Sequence, residues 1–450
     1  MLDKIGIILA AGKGSRLNSY VPKPFQLLGG DYLLNHVIHT MKLSGLKEIY
    51  VVISPEISSM DSLSDYDKDI KFIIQKEPKG TGDALKTAVN YIDMNSIILV
   101  APCDVPLVNS KTVKAMLDSM KKNTVSSNVL VGKVKDPSGY GRVIYDESKK
   151  EIVSIVEHND LNESQNKIDI INSSWYCFKN DWVKNKLSEI YVSANGEMLL
   201  TDIFNLSDIS GETVYTMVED HEEIIGINSK LELEKAEKVL RNSINKQHML
   251  NGVTILDSDT TYIEKKVKIL PDTIIYPNTY IRGDTSIKKS VTLGPNTIIE
   301  NSKIDEGSSI ISSFITDSNI GKNCKIGPNS RIRNQCKILD NCLIGNGAEI
   351  KKSVIGKECK ISHFSYIGDS ILGKNVNIGA GTVTCNYDGK QKKSTFIGDD
   401  VFIGAGTMLI APIKISSNSR TGAGSVVNYD VDKNQTVVGI PAKPIKSKES

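Results

Sequence analysis

A chain of 450 residues is too long for one ordinary hydrophobic core, so two or three domains are expected. Lysine and arginine (55) nearly balance aspartate and glutamate (53), and the net charge of +2 gives no reason to expect a nucleic-acid or membrane-surface partner. Seven cysteines, an odd number with no CxxC pair, argue against a secreted disulfide framework.

The longest early apolar run, residues 5–11, is too short to span a membrane and lacks a signal peptide's cleavage pattern, so a cytoplasmic location is expected. Residues 4–9 (KIGIIL) read as a buried strand, 32–43 as a helix, 49–53 as a strand, 82–92 as a helix and 97–101 as a strand. Such alternation predicts an α/β domain with a parallel, doubly wound, Rossmann-like sheet, which binds ligands at the carboxyl ends of its strands. Residues 229–250 are helical in pattern and charged, and read as a connecting helix between a domain at 1–228 and another at 251–450.

From about Val253 a six-residue period takes over, as in IGKNCK from Ile320, IGPNSR from Ile326 and IGAGTV from Ile378. An aliphatic residue opens each hexad and a small one follows four places later, the signature of a hexapeptide-repeat, left-handed parallel β-helix. Cys324, Cys336, Cys342 and Cys359 all fall at the small position, so they read as core packing rather than metal ligands.

The first chemical constellation follows the first strand. Leu9-Ala10-Ala11-Gly12-Lys13-Gly14-Ser15-Arg16-Leu17 and then Pro22-Lys23-Pro24 combine a glycine loop, whose backbone N–H groups can approach phosphates, with the charges of Arg16 and Lys23. The string matches neither the P-loop nor GxGxxG. Asp104 ends a strand, where a plain surface carboxylate is the simpler reading if it stands alone.

The second constellation rests on spacing. Arg333 and Lys351 each take the second place of a hexad, where glycine is usual, and lie three hexads apart. Three hexads make one coil, which predicts that they stack on neighbouring coils, roughly 5 Å apart at the backbone. Stacked like charges repel. An anion between them, such as a sugar phosphate, supplies the missing reason for the placement. His363, beside this expected anion site, has the near-neutral pKa that suits deprotonation of an amine attacking a thioester. A polar run, Asn377 and then Asn386-Tyr387-Asp388-Gly389, follows it.

The first half resembles the sugar-nucleotide pyrophosphorylases from its phosphate loop onward. The whole chain, from Leu9 to about Val431, resembles the bifunctional N-acetylglucosamine-1-phosphate uridylyltransferase/glucosamine-1-phosphate acetyltransferases, the GlmU family. The second half carries the likeness in Asn377-Ile378-Gly379-Ala380-Gly381-Thr382, Thr384-Cys385-Asn386-Tyr387-Asp388-Gly389 and Ile397-Gly398-Asp399-Asp400-Val401-Phe402.

The resemblance implies two activities. Acetyl-CoA-dependent acetylation of glucosamine-1-phosphate comes first; Mg²⁺-dependent uridylyl transfer from UTP follows and releases pyrophosphate, in a cell-wall precursor pathway. It implies UTP and UDP-sugar contacts at Leu9, Ala10, Ala11, Gly12, Lys23, Gln75, Gly80, Thr81, Gly141, Glu157, Asn172 and Asn228, with Asp104 and Asn228 as magnesium ligands. It implies His363 as general base, sugar-phosphate contacts at Arg333, Lys351, Tyr366, Asn377 and Lys392, and acetyl-CoA contacts at Ala380, Asn386, Tyr387, Ala405 and Ala423. It also implies a homotrimer.

Three departures stand out. Ser173-Ser174-Trp175 follows Asn172 where the family usually has Thr-Gly, Met198-Leu199 replaces a pair of tyrosines, and Ala405 stands where serine is common. A monofunctional nucleotidyltransferase with a structural or regulatory β-helix, or a related enzyme for another amino sugar, remains an alternative. A three-histidine hydratase does not fit, since His363 is the only histidine after residue 250.

Overall fold

The computed structural model describes residues 2–445 except 61–62, 65, 147, 149–150, 193–195 and 207–211. The chain divides into two compact units, Met1–Leu240 and Arg241–Ser450. The helix Lys230–Leu250 runs through the division.

The first unit is built on a nine-stranded sheet. Its parallel part has the order Ile70–Ile74, Glu48–Ile53, Asp3–Leu9, Ser96–Pro102. From Ile5 to Leu9 the strand is apolar throughout because both of its faces are covered. Ile8 packs with Leu34, Val37, Ile38 and Met41 of the helix Leu33–Leu43 on one face. Ile5 and Ile7 pack with Ala84, Leu85 and Ala88 of the helix Thr81–Val89 on the other.

The βα alternation predicts a parallel sheet, and the part beyond Ser96–Pro102 departs from it. Strand Ile170–Lys179 inserts antiparallel between Ser96–Pro102 and Val125–Lys133. It is reached through the hairpin of Arg142–Asp146 with Glu151–Val156, not through a helix. The strand order reverses between Asp3–Leu9 and Ser96–Pro102, and their carboxyl ends open the crevice where such sheets bind ligands.

The second unit is a left-handed parallel β-helix. Short strands stack into parallel sheets of 12, 10 and 9 strands, ending in one antiparallel pair. The opening residue of each hexad points inward: Ile287, Ile304, Ile320, Ile338 and Ile355 form one buried column. Cys324, Cys336, Cys342 and Cys359 are buried in the same core, as the hexad position predicts. Among the described residues no group of three or more histidine, cysteine, aspartate or glutamate side chains is placed to hold a metal ion.

Corner residues account for the asparagine-rich composition. Asn296, Asn323, Asn329, Asn341, Asn375 and Asn418 all take left-handed backbone conformations, which asparagine tolerates better than most residues. One coil is longer than its neighbours: Asn377 pairs with Lys360 on the coil before it, and with Phe402, further along the chain, on the coil after it. The extra residues form the loop around Asn386–Lys393.

Candidate active sites

In the first unit a cleft of about 620 Å³ opens at the strand-order reversal. It is lined by Leu9, Ala11, Gly12, Lys23, Gln75, Gly80, Thr81, Asp104 and Asn228, all expected from the sequence. Ala10 is buried and does not line it. Lys23 Nζ forms an ion pair with Asp104 Oδ2 and donates to Asn228 Oδ1 at 2.9 Å. Arg16 Nη2 donates to the same amide oxygen at 3.0 Å. Two oxygen donors, one charged and one neutral, thus converge on one cationic point, a donor set that suits a hard divalent ion. Next to Asp104, burial and that carboxylate push the Cys103 thiol up to about 12.

The segment after Gln75 needs its glycines. Gly80 has φ 103°, and a Cβ there would lie 2.5 Å from the carbonyl oxygen of Met198. Met198 N–H donates to Lys79 O at 2.7 Å, and Gly82 N–H donates to Met198 O at 2.8 Å. Leu200 N–H donates to Thr81 Oγ1 at 3.0 Å. The departure at Met198-Leu199 therefore falls on a segment whose main chain sews the Gly80–Gly82 loop in place. Leu199 and Glu197 also line the cleft, and sequence reasoning did not assign them.

Gly141, Glu157 and Asn172 form a second cluster. A Cβ on Gly141 would sit 3.5 Å from Glu157 Oε2 and 3.8 Å from Asn172 Cβ, and Asn172 N–H donates to Gly141 O. Glu157 Oε1 accepts from Thr201 Oγ1 at 2.7 Å. The segment running from Met198 to Thr201 thereby links this cluster to the Gly80–Thr81 loop.

In the second unit Arg333 and Lys351 are in register on adjacent coils, as their spacing predicts. The repulsion argument needs correction, because Arg333 is not an uncompensated charge. Its Nε and Nη2 donate to Glu349 Oε1 at 2.9 and 2.6 Å. Glu349 shares a strand with Lys351 two residues on and so projects from the same face. Charge spacing alone, read for lysine and arginine, passed over it.

Lys351 is in register with Gly368 on the next coil. A Cβ on Gly368 would lie 2.5 Å from the Tyr366 hydroxyl and 2.8 Å from Asn386 Nδ2, so this glycine lets the two side chains meet there. Asn386 Nδ2 in turn donates to the nearly buried Asp369 at 2.5 Å. Lys392 is held below the ordinary lysine value, chiefly by Lys351 beside it, with Asp369 and Tyr366 opposing. Lys351, Tyr366, Asn386 and Lys392 are therefore one cluster, and Asp369 belongs to it without a sequence signal.

His363 is exposed and ends a strand of the 12-stranded sheet, where Asn377 pairs in the next coil. Arg333 and Lys351 end strands of the 10-stranded sheet. Within one chain His363 and the basic pair thus lie across a face of the prism rather than side by side, and the Tyr366 side chain spans that face. Ala380, Ala405 and Ala423 form an exposed column on successive coils, tied by Gly406 N–H to Ala380 O and Gly424 N–H to Ala405 O, both 2.7 Å. Asp388 closes the Asn386-Tyr387-Asp388-Gly389 loop. Its Oδ1 accepts from the N–H groups of Lys390 and Gln391, which bring the carboxyl down to about 2. Tyr387 is exposed beside it.

Residues 6–150 match the MobA-like NTP transferase domain family, and residues 256–336 and 317–448 match the GMPPB C-terminal domain family. A bifunctional protein GlmU of Clostridium perfringens is 38% identical over 439 residues, 97% of this chain and 96% of that protein. The chain belongs to the GlmU family. A second member, from Clostridium beijerinckii, is 37% identical over 97% of this chain and 95% of its own length. A solved UDP-glucose pyrophosphorylase is 19% identical, with a TM-score of 0.44 over 54% of this chain and 100% of that structure. Within the GlmU family the departure at Ser174 has a structural meaning: the residue takes φ 63°, a conformation natural to the glycine usual there.

Proposed function

We propose that this chain makes UDP-N-acetylglucosamine in two steps, one in each unit, as a cytoplasmic homotrimer. Membership of the family over nearly the whole length, with the expected residues gathered in each unit, supports this reading. The working division is a nucleotidyltransferase at 1–228, a linking helix at 229–250 and an acetyltransferase at 251–450. No helix among the described residues is long and apolar enough to cross a membrane.

In the second unit glucosamine-1-phosphate is acetylated from acetyl-CoA. Arg333, Lys351, Tyr366 and Lys392 hold the phosphate, Asn377 and Asn386 orient the sugar, and His363 takes the amine proton as nitrogen attacks the thioester. The exposed column Ala380–Ala405–Ala423, with no bulky side chain, offers a track for the CoA arm beside Asn386 and Tyr387. His363 and the basic pair are separated by a prism face within one chain, which supports a trimeric site where neighbours meet.

In the first unit a phosphate oxygen of N-acetylglucosamine-1-phosphate attacks the α-phosphorus of UTP, and pyrophosphate leaves. The glycine loop and Lys23 carry the developing charge, Gln75 and the Gly80–Thr81 loop seat the base, and Gly141, Glu157 and Asn172 hold the sugar. Asp104 and Asn228 would hold Mg²⁺, which would supply neutralisation of the charge on the reacting phosphates.

The purified protein, given glucosamine-1-phosphate, acetyl-CoA, UTP and Mg²⁺, should yield UDP-N-acetylglucosamine, CoA and pyrophosphate. Pyrophosphate release only when N-acetylglucosamine-1-phosphate is supplied ready-made would reduce the β-helix to a scaffold. Light scattering should show a trimer, and a stable monomer that still transfers acetyl groups would refute the shared site.

A further inference from the structure

The expected sugar contact Asn172 lies in strand Ile170–Lys179, where the register against Val125–Lys133 breaks. Asn172 pairs with Val131 and Tyr176 with Val129, so four residues along one strand oppose two on its partner. This is a bulge, a device that re-aims side chains and frees main-chain groups from the ladder. Ser174, inside it, takes φ 63° and turns its N–H onto Asn172 Oδ1 at 3.0 Å.

That contact fixes which way the Asn172 amide faces. A main-chain N–H can only donate, so the atom it meets must be the amide oxygen. The other atom is therefore Nδ2, and it donates to the Tyr176 hydroxyl at 2.7 Å. Tyr176 is itself rigid. It is 3% exposed, and its ring stacks on Phe178 and Phe204 with centroids 5.7 and 5.8 Å away. Burial, opposed by Asn172 and reinforced by the charge of Glu157, keeps the phenol protonated. One N–H and one lone pair of Asn172 remain, directed by a plane that two partners hold.

We infer that Tyr176 is a positioning residue for sugar selection: it holds the Asn172 amide in one orientation, so that the nucleotidyl site presents a fixed donor beside a fixed acceptor. Without the hydroxyl, the amide is held by the Ser174 N–H alone, and its plane is free to tilt about that one contact. Epimers of a hexose differ in where they place donors and acceptors, so an amide free to tilt discriminates poorly. The inference rests on the reading of Asn172 as a sugar contact.

Tyr176→Phe tests it, since phenylalanine preserves the ring stack. The KM for N-acetylglucosamine-1-phosphate should rise about tenfold, as expected for one lost hydrogen bond, with the KM for UTP within about twofold. The kcat/KM preference for N-acetylglucosamine-1-phosphate over its galacto epimer should fall by a similar factor. Because Tyr176 acts through Asn172, Tyr176→Phe added to Asn172→Ala should change the sugar KM no further.

Unchanged sugar KM and selectivity in the single variant would overturn the inference. So would full additivity in the double variant, which would mean that Tyr176 acts through packing alone. A melting curve and the UTP KM report whether each variant keeps its fold. A wild-type chain inactive on this sugar phosphate would overturn the reading itself, whereas an active wild type with an indifferent Tyr176→Phe sinks only the inference.

Discussion

Lys23 and Asp104 form an ion pair at the crossover of the sheet, and Asn228 Oδ1 takes a second hydrogen of the same ammonium. The three groups come from distant points of the chain, and they make the nucleotidyl cleft a place for exchanging one cation for another. Asp104→Ala should abolish UDP-sugar formation while acetyl transfer continues at the wild-type rate. Mn²⁺ binding followed by electron paramagnetic resonance should weaken at least tenfold in parallel. Unchanged Mn²⁺ affinity would remove Asp104 from the metal site.

His363→Ala should do the reverse. Removing a general base costs roughly 10²–10⁴-fold in its own step. The nucleotidyl half-reaction, run by residues of the other unit, should be untouched. Normal acetyl transfer by this variant, still trimeric, would reassign the base.

Arg333→Ala and Lys351→Ala should each raise the KM for glucosamine-1-phosphate and spare that for acetyl-CoA. Arg333 is partly exposed and paired with Glu349, so losing the pair should cost no more than about 1 kcal/mol of stability. A thermal melt of unliganded Arg333→Ala separates the two roles: a large drop with unchanged KM would make Arg333 a structural residue.

Lys392 stays charged only below a pKa that Lys351 has lowered. Affinity for an anion at this site should therefore fall, as pH rises, earlier than it would with an ordinary lysine. Lys351→Met removes the lowering charge and should move that fall to higher pH. Competitive inhibition of acetyl transfer by inorganic phosphate across the alkaline range reads this directly. A fall at the same pH in both proteins would contradict the pairing of the two lysines.

Gly80→Ala should lose about 1–3 kcal/mol, because φ 103° with ψ 178° is open essentially to glycine alone, and the new methyl would meet Met198 O. UTP binding by calorimetry should weaken with it, while the β-helix unit retains its own acetyl-transfer activity.

The sequence by itself determined the β-helix and its buried cysteines. A hexad period leaves two inward positions per repeat, the aliphatic opener and the small residue four places later, so Ile320, Ile338 and Cys324 had nowhere else to point. It also determined the Arg333–Lys351 stack, because one coil is a fixed number of hexads. The phosphate loop was legible for a similar reason: it is local, and its glycines and charges are adjacent in the chain.

The tertiary structure alone decided what arrives from elsewhere. Glu349 neutralises Arg333 through a fork whose geometry no spacing specifies. Met198 meets Gly80 through its main chain, so its side-chain identity carried no signal. Asp369 reaches Asn386 only because the long coil folds the loop back over Gly368. Strand Ile170–Lys179 enters antiparallel between two strands distant from it in sequence, and the bulge that places Ser174 N–H on Asn172 exists only against its neighbour in the sheet. Periodicity reports which way a residue points; which partner it finds depends on chain segments whose separation in sequence has no fixed relation to their distance in space.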